Sequence, residues 1–123
     1  MRIRFLAAAT LLLMSSAPAQ SAPADGFATF WPTFVAAVAK DDKTALASMT
    51  QLGPDLGDDG ASFVKFHAGH LGPVVRRCLV KAKPVRAVDP QGGLSYSAFC
   101  GEVIYGFSKP AGAWKLTDLG PDD

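Results

Sequence analysis

The stretch LSYSAFCGEVIYGFSK, residues 94–109, decides the fold because its aromatic and β-branched residues favour a strand over a helix. Around Gly101 the apolar residues change from one alternating parity to the other. The first parity holds Tyr96, Ala98 and Cys100, and the second holds Val103, Tyr105 and Phe107. Such a change is typical of a β-bulge or a bend. We therefore predict one long, bent strand with both faces partly covered.

Shorter strands are predicted on either side of this long strand. PVRAVD, residues 84–89, has the composition of a short strand and is followed by the turn residues PQGG. On the other side, the turn PAGA leads into a last strand, WKLTDLG, residues 114–120. The second half of the chain is therefore predicted to form an antiparallel sheet of three to four strands.

The segment DGFATFWPTFVAAVAKDD, residues 25–42, has the periodicity of an amphipathic helix. Its apolar residues fall on one broad stripe at helical spacing, namely Phe27, Phe30, Trp31, Phe34, Val35 and Val38. A stripe of this width must pack on a large surface such as a sheet. Pro32 allows two starts: either Thr29 is the N-cap and Pro32 lies in the first turn, or the helix begins near Asp25 and is kinked.

Three further segments have helical signals before the strands begin. Asp41 or Asp42 can cap a short helix that runs through Met49. ASFVKFHAGHL, residues 61–71, predicts a third helix that ends at a Gly-Pro pair. PVVRRCLVKAK, residues 73–83, fits a fourth helix, but its β-branched residues also allow a strand. The sequence alone leaves that choice open.

Helices followed by a meander of strands make an α+β pattern, with N-terminal helices packed on a curved antiparallel sheet. The segments FATFWPTFVAAVAKDDKTALASM, YSAFCGEVIYGF and AGAWKLTDL, with a turn-rich loop and a helix between, resemble small exported bacterial proteins of the nuclear-transport-factor-2-like (cystatin-like) superfamily. The resemblance implies a curved sheet wrapped against the first helix, with a cavity between them. It also implies either an isomerase or dehydratase that uses Asp, His or Tyr in that cavity, or a domain that only binds or dimerises.

The first 24 residues have the layout of a secretory signal peptide. A basic start with Arg2 and Arg4 precedes ten apolar residues, too few for the ~20 that a membrane-spanning helix needs. Two A-x-A patterns predict cleavage after Ala19 or Ala24. We therefore expect a signal peptide, residues 1–24, followed by a single α+β domain, residues 25–123. After cleavage we expect this domain in the periplasm or secreted, without a stable membrane anchor.

Charge and cysteine content narrow the class of protein. The formal net charge falls from +1 to −1 once Arg2 and Arg4 are removed, so the domain lacks the basic character of nucleic-acid-binding proteins. Two cysteines, Cys78 and Cys100, predict one disulfide in an exported protein, with two buried free thiols as the alternative. No metal-binding or cofactor-binding motif is present, and we predict neither a metal nor a cofactor.

Four residues are candidates for catalysis. Glu102 is the only glutamate, and in an apolar strand or pocket its pKa would rise and suit it to general acid or base chemistry. His67, His70 and Tyr96 are its candidate partners. The two histidines are neighbours on the predicted third helix, but no third metal ligand lies at a fixed spacing, and a structural role for His67 at the core edge is the simpler interpretation. An enzyme of isomerase or dehydratase type is therefore the alternative function.

A basic segment is the stronger signal for binding. Between Gly60 and Val88 the chain has six lysines or arginines and no acid. The side chains predicted to form a basic face are Arg76, Arg77, Lys81 and Lys83. Calcium binding by the acidic, turn-rich loop at residues 51–60 is not favoured, because the spacing of calcium-binding loops is missing.

These observations together favour a domain without catalytic activity. We predict that it binds a small ligand or another envelope protein, either in the cavity or on the basic face. A solvated helix surface is the plainer interpretation of the basic residues. A homodimer remains open from the sequence.

Overall fold

The computed structural model describes residues 25–53 and 60–121. Predictions that concern the signal peptide, the aspartates of the 51–60 loop and the C-terminal Asp122-Asp123 fall outside these ranges. The described chain has four helices followed by four strands, the α+β order expected from the sequence. No described helix has the length and apolar composition needed to cross a membrane.

Four helices make up the first half of the described chain. They are α1 (Phe27–Lys40), α2 (Lys43–Ser48), α3 (Gly60–His70) and α4 (Pro73–Lys81). The early start of α1 is correct: Gly26 is its N-cap and Pro32 lies inside the helix. Asp42 caps α2 by accepting a hydrogen bond from the backbone of Ala45 at 3.2 Å.

The open question about residues 73–83 is resolved in favour of a helix. Gly72 is the N-cap of α4, and Pro73 occupies the first turn, where its missing N–H costs no hydrogen bond. Leu79 is fully buried, and Val75, Cys78 and Ala82 are partly buried on the same side. The helical period therefore prevails over the local β-propensity of the paired valines, because it gives the segment one apolar face.

The strands form one open antiparallel sheet in the order β1-β2-β3-β4. They are β1 (Val85–Val88), β2 (Leu94–Cys100), β3 (Val103–Ser108) and β4 (Lys115–Pro121). The expectation of three to four antiparallel strands is confirmed. Beside β4, the backbone of Met49 and Gln51 hydrogen-bonds to Leu116, so part of this edge is covered.

The prediction of one long bent strand over residues 94–109 is wrong. The chain reverses after Cys100, which pairs with Val103, and β2 and β3 form a hairpin. Gly101 adopts φ 68, the left-handed conformation that two-residue hairpin turns require. The change of apolar parity therefore marks a turn. An irregular register occurs further along, between Gly106 and Phe107 in their pairing with β4.

Aromatic side chains fill the space between α1 and the inner face of the sheet. Phe34 and Phe107 are fully buried, with ring centroids 5.1 Å apart at an interplanar angle of 79°. Phe27 stacks on Tyr96 at 3.7 Å, which joins the start of α1 to β2. The stripe predicted on α1 thus packs against the sheet, and the inner face is a packed core.

The predicted disulfide between Cys78 and Cys100 is present. Their Cα atoms are 5.8 Å apart, and 22 positions separate them in sequence. Cys78 lies in the middle of α4 and Cys100 is the last residue of β2. The bond therefore fixes α4 to the sheet beside the β2–β3 turn.

Candidate functional site

A groove of about 330 Å³ opens between α1 and α4. Its walls are formed by Val38, Ala39, Pro73, Arg76, Arg77, Val80 and Lys81. We call it the α1–α4 groove. The described residues that line it are apolar or cationic.

Three of the four predicted basic residues line this groove. Arg77 and Lys81 are four residues apart and lie on the side of α4 turned away from Leu79. Arg76, three residues before Leu79, lies at the edge of the packed side and borders the groove from there. Lys83 follows the end of α4, is exposed and does not line the groove. The basic patch foreseen from sequence therefore consists of three residues, and its apolar partners on α1 had no signal in the sequence beyond the helix period.

Arg76 is held in place by the surrounding backbone and by a carboxylate. Its Nη1 donates to the carbonyl oxygen of Leu71 at 2.7 Å and lies 3.6 Å from Oδ1 of Asp41. Within residues 25–53 and 60–121, Arg77 and Lys81 make no ion pair. The groove thus combines one positioned guanidinium with two exposed cations that are available to a ligand.

Asp41 connects three helices at one end of the groove. Its φ of 51 places it in the left-handed region, and its N–H and that of Asp42 satisfy the last carbonyls of α1. The Asp41 carboxylate also accepts a hydrogen bond from Nε2 of His67, at 2.6 Å. That hydrogen bond, followed by the charges of His67 and Arg76, lowers the pKa of Asp41 below its ordinary value, against an opposing effect of burial. The link between α1, α3 and α4 therefore depends on an ionised Asp41.

The two histidines have separate environments although they are three residues apart. The His67 side chain is only 12% exposed and contacts Asp41. The His70 ring stacks on the Phe66 ring, with centroids 5.5 Å apart. The backbone carbonyl of His70 accepts a hydrogen bond from the Tyr105 hydroxyl at 2.7 Å. Burial raises the pKa of Tyr105 to about 12, so this hydroxyl remains a donor. Within the described ranges, no group of three or more His, Cys, Asp or Glu residues is arranged to hold a metal ion.

Tyr96 lies in a second polar cluster, at the start of α1. Its hydroxyl donates to Oδ2 of Asp25 at 2.6 Å, and the Asp25 side chain is only 6% exposed. The backbone N–H of Phe27 and the more distant guanidinium of Arg86 also face this carboxylate. The indole N–H of Trp114 donates to the Asp25 carbonyl at 2.8 Å. Asp25 thereby fixes the beginning of α1 to the sheet.

Glu102 is not in an apolar strand, contrary to the expectation from the sequence. It is exposed in the turn between β2 and β3. Among the described residues, no hydrogen bond or ion pair joins Glu102, His67, His70 or Tyr96 to one another. The four candidates for catalysis therefore lie in different environments: a solvent-exposed turn, an ion-paired helix junction, an aromatic contact and the Asp25 cluster.

Asp25 and Asp41 are the partners of the candidate residues Tyr96 and His67, and the sequence does not reveal these contacts. Asp41 was considered only as a cap for α2, whereas it ends α1 and binds His67. Asp25 was assigned no partner because Tyr96 and Trp114 are distant in sequence. The position of Asp25 just before the aromatic helix α1 is the sequence feature that points to a role for it.

No family model, no curated protein and no solved structure matches this chain. The resemblance to the nuclear-transport-factor-2-like superfamily therefore stays a prediction.

Acid should weaken the fold partly through Asp25. The hydrogen bond from Tyr96 and then that from the Phe27 N–H lower the pKa of this carboxyl, against the opposing effect of burial. Its folded-state pKa thus lies below its unfolded value of about 4, so the stabilisation is present above about pH 4 and is lost as the pH falls through the folded-state pKa. We expect Asp25→Asn to cost about 1.5–3 kcal/mol of unfolding free energy at neutral pH.

Urea unfolding of the wild type and Asp25→Asn at several pH values checks this prediction. The difference between the two proteins should shrink as the pH falls below about 4, because the Asp25 carboxylate is then protonated first in the unfolded chain and, at lower pH, in the folded protein. Asp89→Asn is a suitable control, because Asp89 is exposed and bonds only its own turn. A difference that does not begin to shrink once the pH is below the unfolded pKa of about 4 would contradict the assigned role of the Asp25 charge.

Proposed function

We propose that this chain is an exported binding domain without catalytic activity, and that its α1–α4 groove holds an acidic, partly apolar segment of another protein. The observation that carries the proposal is the composition of the groove. Apolar walls from Ala39, Pro73 and Val80 lie beside Arg76, Arg77 and Lys81, and none of the described residues that line the groove is acidic. A ligand that fits must bring apolar side chains together with negative charge.

The shape of the groove favours a protein segment over a small molecule. Small-molecule sites bury most of their ligand in cavities of roughly 300–1,000 Å³. The α1–α4 groove has a volume of about 330 Å³, near the lower end of that range, and is open to solvent. Val74 and Val80 on α4 are 71% and 40% exposed, so the apolar surface continues beyond the groove. An extended partner can cover this surface, whereas a compact ligand leaves it in water.

The arrangement of the cations supports recognition of carboxylates. Arg77 and Lys81 are four positions apart on one helix and therefore adjacent in space. Arg76 is already oriented by Leu71 and Asp41, so binding would order only the two exposed side chains. The alternative, an enzyme that uses Glu102 with a histidine, has less support because no described contact brings those residues together.

A model peptide provides a direct test of this proposal. The probe is a synthetic twelve-residue peptide in which glutamates alternate with leucines and valines, and binding is followed by amide chemical shifts. We expect shifts at residues 38–39 and 73–81, and a loss of affinity of at least about tenfold in Arg77→Glu/Lys81→Glu, or about 1.4 kcal/mol. Affinity should also fall as salt is added, because the attraction is between exposed charges.

The matched control is Lys65→Glu/Lys83→Glu, which makes the same charge change outside the groove. Equal weakening by both double variants would overturn the proposal, because it would show attraction to net charge alone. Binding of decanoate at the same amides, with no binding of the peptide, would assign the groove to a small amphiphilic ligand instead. A peptide with lysine in place of every glutamate should cause no shifts.

A further inference from the structure

A second groove lies on the outer face of the sheet, opposite the packed core. It has a volume of about 260 Å³. The polar residues that line it are Ser95, Ser97, Ser108, Thr117 and Asp118, and Gly106 lies between them. We call it the sheet groove. It adjoins a depression of about 450 Å³ at the β1–β2 and β3–β4 turns, which shares Ser95 and Ser108. The two depressions form one trough across β2, β3 and β4.

The register of the strands explains why the trough has an open floor. Ser97 pairs with Gly106, which pairs with Asp118, so the three lie in one row across the sheet. Adjacent strands are about 4.8 Å apart, which places Ser97 and Asp118 about 10 Å apart with no side chain between them. A flat ring can lie over Gly106 and reach a polar group on each side.

The approach of β4 leaves little room for a side chain at position 106. A Cβ at this position would meet the Cβ of Asp118 at 3.1 Å, tighter than ordinary contacts. The irregular register between Gly106 and Phe107 adds Thr117 to the outer face, where its hydroxyl lies 2.6 Å from that of Ser108. One of these two hydroxyls keeps a proton that it can donate to a ligand.

The chemistry of the trough differs from that of the α1–α4 groove. Hydroxyls both donate and accept hydrogen bonds, and a carboxylate accepts from two donors. Asp118 is the one charged residue among the described residues that line the sheet groove, which is too few ligands for a metal ion. The adjoining depression adds one carboxylate, Asp89, and one cation, Lys109. Phe99 is two residues after Ser97 on β2 and therefore lies on the same outer face of the sheet. It pairs with Ile104 on β3 and is 48% exposed. The surface therefore offers hydroxyls, the Asp118 carboxylate and an apolar ring side by side.

We propose that the sheet groove is a carbohydrate-binding site for an uncharged oligosaccharide. One sugar ring lies over Gly106, its hydroxyls bond to Asp118 and Ser97, and the apolar face of a neighbouring ring packs on Phe99. A sugar has the matching chemistry, because its hydroxyls donate to carboxylates and both donate to and accept from serine and threonine. The trough continues toward the turns, which suits a chain of several sugars. The site is independent of the α1–α4 groove.

Chemical-shift titration of the purified chain with cellopentaose, chitopentaose and maltopentaose tests this site. We expect at least one of the three to shift the amides of Ser97, Gly106 and Asp118, and to leave those of α4 unchanged. Asp118→Ala and Ser97→Ala should each weaken binding by about tenfold, the loss expected for about 1.4 kcal/mol. Glu102→Ala is the matched control, since it removes an exposed carboxylate outside the trough and should not alter affinity.

Several results would overturn the proposal. One is the absence of shifts with all three oligosaccharides up to about 10 mM, a concentration that detects complexes of roughly millimolar Kd. Another is binding that Asp118→Ala and Ser97→Ala both leave unchanged. Shifts at these amides with calcium chloride but not with sugars would assign Asp118 to a cation. Both variants change exposed or half-buried side chains, so circular dichroism should show that they fold.

Discussion

Replacing both Cys78 and Cys100 by alanine is expected to lower the free energy of unfolding by about 3 kcal/mol. The disulfide closes a loop of 22 positions, and in the chain-entropy model a cross-link of this length removes that much freedom from the unfolded chain. A domain of this size has a total stability of only about 5–15 kcal/mol, so the change is a large fraction of it. Urea unfolding of the oxidised wild type and the double variant measures the difference.

The wild type treated with a reducing agent is the control for this experiment. It should unfold at nearly the same urea concentration as the double variant, because both lack the same cross-link. An unchanged midpoint in the double variant would show that α4 is held to the sheet by packing alone. A variant that also loses peptide binding in the α1–α4 groove would show that the disulfide positions the cations of α4.

Phe34→Ala is expected to cost about 3–5 kcal/mol, the range for truncating a large buried aromatic residue. Phe34 is completely buried between α1 and the sheet, where it contacts Phe30, Trp31 and Phe107. Its removal leaves a cavity at the centre of the core, and the packed rings around it can only partly close. Thermal and urea unfolding should both report the loss.

Phe99→Ala makes the same chemical change on the exposed face of the sheet and serves as the control. Phe99 is 48% exposed, so its truncation should cost less than about 1 kcal/mol. Equal losses in the two variants would contradict the assignment of the core to the inner face.

Periodicity predicted the helices well because each helix buries one side. The stripe on α1, the short α2 and the third helix are all confirmed. For α4 the local signals were balanced, and packing of Leu79 against the core decided the outcome. Pattern analysis cannot weigh that contact, since it depends on residues far away in the chain.

The hairpin between β2 and β3 was misread for a different reason. A parity change is produced equally by a bulge and by a two-residue turn, and Gly101 suits both. The wrong choice placed Glu102 inside a strand and suggested a catalytic role for it.

The three cations of the α1–α4 groove were predictable from their spacing on one segment. Asp25 and Asp41 were not, because their partners depend on tertiary structure.

The Asp25 cluster has a consequence for the order in which the chain can fold. Asp25 hydrogen-bonds to Tyr96 and Trp114, which lie 71 and 89 positions later in the sequence. A chain is synthesised from its N-terminus, so Asp25 and α1 emerge long before Tyr96 and Trp114. The start of α1 therefore cannot make these contacts until nearly the whole domain has been synthesised. The start of α1 in a nascent chain therefore stays undocked until Trp114, next to the last strand, has been synthesised.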